Sequence, residues 1–220
     1  MPPLKAGEAI SANARQLFRF QDLVAANKRL QKQVSLYAAE LVQLEEFKLE
    51  NQRLRNILSL PEAEKLNTQT AILVGRDSSN WSKTVLINKG LSSGIKPQQA
   101  VVFGKNLVGK VIEAGPRTSK VALIVDFSSK VPAKILRTRE EGLVFGLAQS
   151  GFATCKIKYL QDVQVGDQVI SSGLGRTYPK GFLIGTVIKV EDEQSRLYKV
   201  AEIKTAVRFS HLEEVMVIIE

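Results

Sequence analysis

FQDLVAANKRLQKQVSLYAAELVQL, residues 20–44, is the stretch on which the architecture turns. Phe20, Asn27, Val34 and Leu41 recur every seven residues, and Leu23, Leu30, Tyr37 and Leu44 form a second column. Alternating steps of three and four average 3.5 residues, the repeat of a left-handed coiled coil. These eight residues are the expected dimerisation contacts. Asn27, and Asn51 further on, are costly as packing but useful for fixing register and oligomer number. After Leu44 the seam moves to Phe47, Asn51, Leu54 and Leu58. The two successive steps of three from Leu41 to Phe47 form a stammer that overwinds the coil locally.

Around this core the helical character extends over 15–60, with residues 1–14 expected to be frayed or disordered. No Gly or Pro lies between Glu8 and Ser59. About 40 residues of such a helix span about 60 Å. It could lie on its own globular half, but a stripe of that length calls for a partner chain, and a dimer is the favoured reading. Pro61 stops the helix, and 61–69 reads as a polar linker.

From Thr68 the apolar period falls to two. Roughly a dozen β runs follow, at 71–74, 84–87, 100–103, 107–112, 121–125, 133–136, 142–145, 154–160, 168–170, 182–190, 199–209 and 215–219. Closely spaced short strands with frequent turn signals predict barrels or sandwiches. The fold class is therefore mainly β: a long N-terminal coiled-coil helix followed by two small β-barrel domains. Their expected ranges are 70–127 and 128–220, with late strands free to return to the first. Phe103-Gly-Lys-Asn-Leu107 reads as a three-residue hairpin loop, with Gly104 and Asn106 able to take positive φ. Val165-Gly-Asp-Gln-Val169 reads as a turn delivering a strand. Gly173, Gly175, Gly181 and Gly185 suit tight corners or close barrel packing.

The formal charge of +9 is uneven. Residues 1–66 hold ten Lys/Arg against eight Asp/Glu, and residues 67–220 hold 21 against 14. A basic half can meet nucleic acid, an anionic lipid surface or an acidic polymer, or simply confer solubility, and no run of five or six basic residues singles one out. Lone Cys155 excludes an intrachain disulfide and a multi-cysteine zinc site, and its alternating context suggests a small buried side chain. Nothing reaches the 18 apolar residues needed to span a bilayer, and Met1-Pro-Pro-Leu-Lys5 lacks a signal-peptide core. Either the protein is cytosolic or a targeting segment lies outside this sequence.

Catalytic motifs fail on context. Gly90-Leu-Ser-Ser-Gly94 has the G-x-S-x-G spacing, with Asp126 and His211 following in hydrolase order, but that motif needs a helix after the turn and here Pro97 and another strand follow. Ser93 and Lys96 fit S-x-x-K only by spacing. A single histidine, His211, excludes a multi-histidine metal site. The adjacent pairs Glu140-Glu141 and Glu213-Glu214 would point to opposite faces of a strand. No catalytic, cofactor-binding or metal-binding residue is expected, and the chain is read as a non-enzyme. Single-strand binding needs aromatic platforms in a basic groove. Phe103, Phe127, Phe145, Phe152, Phe182 and Phe209 instead sit in apolar context expected to be core.

Six strings, in order, resemble the MreC family of rod-shape-determining proteins. They are Gly90-Leu-Ser-Ser-Gly-Ile95, Asn106-Leu-Val-Gly-Lys-Val-Ile112, Thr118-Ser-Lys-Val-Ala-Leu-Ile-Val-Asp126, Val165-Gly-Asp-Gln-Val-Ile-Ser-Ser-Gly-Leu174, Pro179-Lys-Gly-Phe-Leu-Ile-Gly-Thr-Val187 and Leu212-Glu-Glu-Val-Met-Val217. The resemblance implies a homodimeric scaffold of the cell-elongation (rod) complex. It also implies partners: the elongation penicillin-binding transpeptidase, RodA, MreD and the MreB cytoskeleton. The implied location is the periplasmic or extracytoplasmic face of the inner membrane, anchored by an N-terminal transmembrane helix absent from this sequence. The alternatives are a periplasmic adaptor of an efflux or secretion system, which usually carries a helical hairpin, and a basic nucleic-acid-binding barrel.

Overall fold

The computed structural model describes residues 26–50, 53, 66–76, 83–147, 152–158, 162–192 and 198–219. Two compact units are present, Met1–Glu64 and Lys65–Glu220. In the first, residues 26–50 and Arg53 are α-helical (α1). Ala, Leu, Glu, Gln and Lys fill α1, and these side chains lose little rotamer freedom on a helix. The expected frayed segment 1–14, the helix over 15–25 and 54–60, and the Pro61 stop lie outside the described residues.

Among the described residues the second unit holds twelve strands: β1 (Asn67–Arg76), β2 (Thr84–Ile87), β3 (Ala100–Phe103), β4 (Asn106–Ala114), β5 (Ser119–Leu123), β6 (Lys130–Ile135), β7 (Glu141–Gly146), β8 (Phe152–Lys158), β9 (Gln168–Ser171), β10 (Leu183–Asp192), β11 (Tyr198–Thr205) and β12 (Glu214–Ile219). Pairing runs β4-β3-β12-β1-β2-β5 and returns from β5 to β4, closing a six-stranded ring. A second ring runs β10-β11-β8-β7-β6-β9 and back to β10. The rings touch through one parallel pair, Leu183 with Asn106. Closure leaves no strand edge to template pairing with another chain.

Rings this small need strongly bent strands. The ladder slips at five places, between Leu73 and Gly75, Val101 and Val102, Val111 and Glu113, Leu183 and Gly185, and Val187 and Lys189. Each slip is a bulge or irregularity that adds twist and lets the wall curve. At Gly185 the walls come so close that a Cβ would lie 2.2 Å from the Lys204 carbonyl oxygen. Only glycine fits there. Gly173, Gly175 and Gly181 take positive φ of 87°, 82° and 93° in the loop before β10.

Inward-facing β-branched and leucine side chains form one continuous core. Its largest fully buried members are Ile87, Ile95, Leu107, Ile124, Ile135, Ile184 and Ile203. Each such side chain contributes about 1.5–3 kcal/mol by leaving water.

Several local expectations are corrected. β1 begins at Asn67, inside the segment read as linker, because the backbone of Asn67–Thr70 pairs with Ile219–Met216 whatever its polar side chains suggest. The β3–β4 connection is two residues, not three. Phe103 pairs with Asn106, and only Gly104 has positive φ (58°), the φ pattern of a II′ turn. Asn106 is in the strand and its Nδ2 donates to the Phe103 carbonyl at 3.2 Å. Ile124 and Val125, read as strand, form a buried turn after β5. β11 ends at Thr205, and Phe209–His211 forms a 3₁₀ turn that Arg76 clamps by donating to the Phe209 and Leu212 carbonyls. Phe103 (50 %) and Phe127 (62 %) are exposed rather than core, since hairpin tip and turn carry them off the ring walls; Phe209 is buried. Cys155 lies in β8, and its side chain and that of Phe152 are outside the described residues.

Candidate interaction surfaces

Of the eight residues expected at a dimer contact, Phe20 and Leu23 lie outside the described residues. The other six fall on α1, where Leu30, Val34, Tyr37, Leu41 and Leu44 are 60–66 % exposed and Asn27 is also exposed. A 3.6-residue turn places the two columns on one stripe. Leu36, Val42, Phe47 and Leu49 are equally uncovered, at 56–66 %. The heptad reading passed over Leu36, Val42 and Leu49 because they fall outside its two columns; the seven-residue spacing of Val42 and Leu49 was the available signal.

The first ring carries an apolar outer patch. Ile72 and Val74 of β1 alternate outward, and Leu86 of β2 pairs with Gly75 between them and Arg76. Their exposures are 48, 55 and 39 %. A shallow cleft of about 370 Å³ is lined by Phe103, Val207, Arg208, His211, Glu213 and Glu214. Mixed charge and an open mouth suit a protein contact better than a small molecule.

The residues weighed for catalysis are not brought into a reactive arrangement. The buried Asp126 carboxylate accepts the Lys83 N–H (2.7 Å) and the Ser128 N–H (2.9 Å), which makes it a turn brace. Ser92 Oγ donates to the Pro116 carbonyl at 2.8 Å, and His211 is exposed on its 3₁₀ turn. Burial pushes the Tyr178 phenol up to about 12, so it stays protonated at neutral pH. Among the described residues no three His, Cys, Asp or Glu are grouped so as to hold a metal.

One charged cluster braces the second ring. Arg137, after β6, donates through Nε and a terminal nitrogen to both oxygens of Asp167 (2.8 and 2.9 Å) and to Asp162 (2.8 Å). Asp167 also accepts the Gln164 N–H at 2.9 Å. The Arg137 guanidinium holds the Asp167 and Asp162 carboxyls below the usual carboxylate range, and they raise its own affinity for the proton. This is the turn predicted at 165–169, with an unforeseen arginine locking it.

Closed β-rings following a helix with an apolar stripe define a mainly β class of molecule in which the described residues form no reactive cluster. The family model "Rod shape-determining protein MreC, barrel core" matches residues 73–219, and the chain belongs to the MreC family. It is similar to the cell shape-determining protein MreC of Listeria monocytogenes, at 32 % identity over 168 residues, 73 % of this chain and 55 % of the relative. The chain thus spans about half the length of the curated relatives it matches. A solved MreC structure from Listeria monocytogenes superposes with a TM-score of 0.76 at 29 % identity, covering 87 % of this chain and 94 % of that one. A chain from the complex between penicillin-binding protein PBP2 and MreC of Helicobacter pylori shares the fold, with a TM-score of 0.58 at 17 % identity, covering 71 % and 99 %. Family membership leaves the efflux-adaptor and nucleic-acid alternatives without support.

Proposed function

We propose that this protein is a non-catalytic scaffold of the cell-elongation machinery, joined into homodimers by α1 and presenting its β-rings to peptidoglycan-synthesis enzymes. The observation carrying this reading is the uncovered apolar stripe of α1 in a member of a cell shape-determining family. Burying it between two chains removes about ten large apolar side chains from water, each contributing on the order of 1.5–3 kcal/mol. The segment 15–60 is the dimerisation element; the ring spanning 70–127, completed by β12, and the ring within 128–220 are the presenting modules. The partner drawn from the Helicobacter pylori complex is a penicillin-binding transpeptidase; RodA, MreD and MreB follow from the family resemblance. In this reading, which the same resemblance supports, the working site is the extracytoplasmic face of the inner membrane, with the anchor upstream of α1. Dimerisation doubles the tethered partners and raises their effective concentration.

Surface plasmon resonance with an immobilised elongation transpeptidase tests the partner. Saturable binding that weakens in Val74→Asp/Leu86→Asp is expected. No binding by either chain at tens of micromolar contradicts the assignment.

A further inference from the structure

Lys134 occupies an unusual place in β6. Val131, Ala133 and Ile135 are buried inside the second ring, so the alternation turns Lys134 to the outer wall, yet it is only 8 % exposed. Its register partners are Glu141 on β7 and Ile170 on β9. The loop before β10 is tied at both ends to these strands: Ser172 N–H donates to the Pro132 carbonyl (3.0 Å) and Gly181 N–H to the Ser171 carbonyl (2.9 Å). Lys180 immediately precedes Gly181, whose N–H is bonded to Ser171, the residue opposite Ala133. Arg139, in the β6–β7 turn, is held at a φ of 66° with its N–H on the Ile135 carbonyl at 3.0 Å. A positive φ is uncommon for a non-glycine residue and is kept only where the surroundings impose it.

Three cations thus lie on adjoining segments, and none of their side chains has a hydrogen bond or ion pair among the described residues. Glu141 is the one opposing charge that bears on Lys134, and it is beyond ion-pair distance. Burial, Arg139 and Lys180 all pull the Lys134 ammonium below its ordinary proton affinity. Two residues before Arg139 in the same hairpin, Arg137 has two carboxylates to itself. A mutual repulsion left standing beside a neutralised neighbour is relieved by an external anion. Three cationic donors on adjoining segments suit a phosphate, with oxygens in several directions, better than a planar carboxylate with two.

We propose that Lys134, Arg139 and Lys180 form a phosphate-binding site on the outer wall of the second ring. The source is either a phospholipid headgroup or a phosphate-bearing polymer.

Amide NMR of the whole chain, titrated with inorganic phosphate against chloride at matched ionic strength, tests it. Saturable shifts confined to Ala133–Leu136, Arg139, Ser171–Gly173 and Lys180 are expected. Lys134→Met, which keeps the buried stem, should weaken binding about tenfold or more, while Arg117→Gln on the first ring leaves it unchanged. Co-sedimentation with phosphatidylglycerol or phosphatidylcholine vesicles, beside a polyphosphate titration, separates the sources. Lys134-dependent binding to phosphatidylglycerol vesicles assigns a headgroup; binding to polyphosphate alone assigns a polymer. Failure of every phosphate probe to saturate, or saturation that Lys134→Met leaves unchanged, overturns the site.

Discussion

Asp167 shows how much a single side chain holds in place. Its carboxylate is almost fully buried, takes two guanidinium bonds and caps the Gln164 N–H, so one group ties the end of β6 to the turn entering β9. Asp167→Asn keeps the shape and discards the charge, and should cost about 1–2 kcal/mol of unfolding free energy at pH 7. The folded carboxyl titrates below its unfolded value, so its contribution is complete above about pH 4 and fades as pH falls through the folded pKa. Urea midpoints of the two chains should therefore differ at pH 7 and draw together progressively as pH falls below about 4. A gap independent of pH would assign the loss to packing. Gly185 makes a second case. Gly185→Ala drives a methyl into the Lys204 carbonyl, and chemical denaturation should show a loss of about 1–3 kcal/mol.

Strands and helix differ in how much of them the sequence discloses. Every one of the runs read from alternation corresponds to a strand, because each ring wall is buried on one face and a period of two is the direct imprint of that burial. The ends were harder to read. Asn67–Thr70 is polar on both faces, and only its backbone pairing with β12 makes it strand, a long-range fact no local pattern holds. Ile124 and Val125 continue an apolar run yet turn, since their burial comes from the core beneath the turn and not from a ladder. On α1 the two heptad columns were legible from their alternating steps of three and four, whereas Leu36 stands outside both and Val42 and Leu49 make only a single seven-residue step. The lysine–arginine cluster was illegible: Lys134, Arg139 and Lys180 are scattered in sequence and meet only through register and loop closure.

For the whole molecule, the proposed function divides the work between the two units, association in the first and presentation in the second. The rings close on themselves, which removes edges, and their many bulges and close glycine contacts make them stiff carriers of surface patches. The helix has the opposite character, with its large apolar side chains open to water in a single chain. That division is what a scaffold requires, since positioning depends on rigid modules and a defined copy number. The pairing of chains through α1 is the claim from which the rest of the function follows. Sedimentation equilibrium at tens of micromolar, comparing the wild type with Leu30→Asp/Leu41→Asp, addresses it without reference to any partner. A dimer mass for the wild type and a monomer mass for the variant, with unchanged β-sheet circular dichroism, is the predicted outcome; equal monomer masses for both would contradict it.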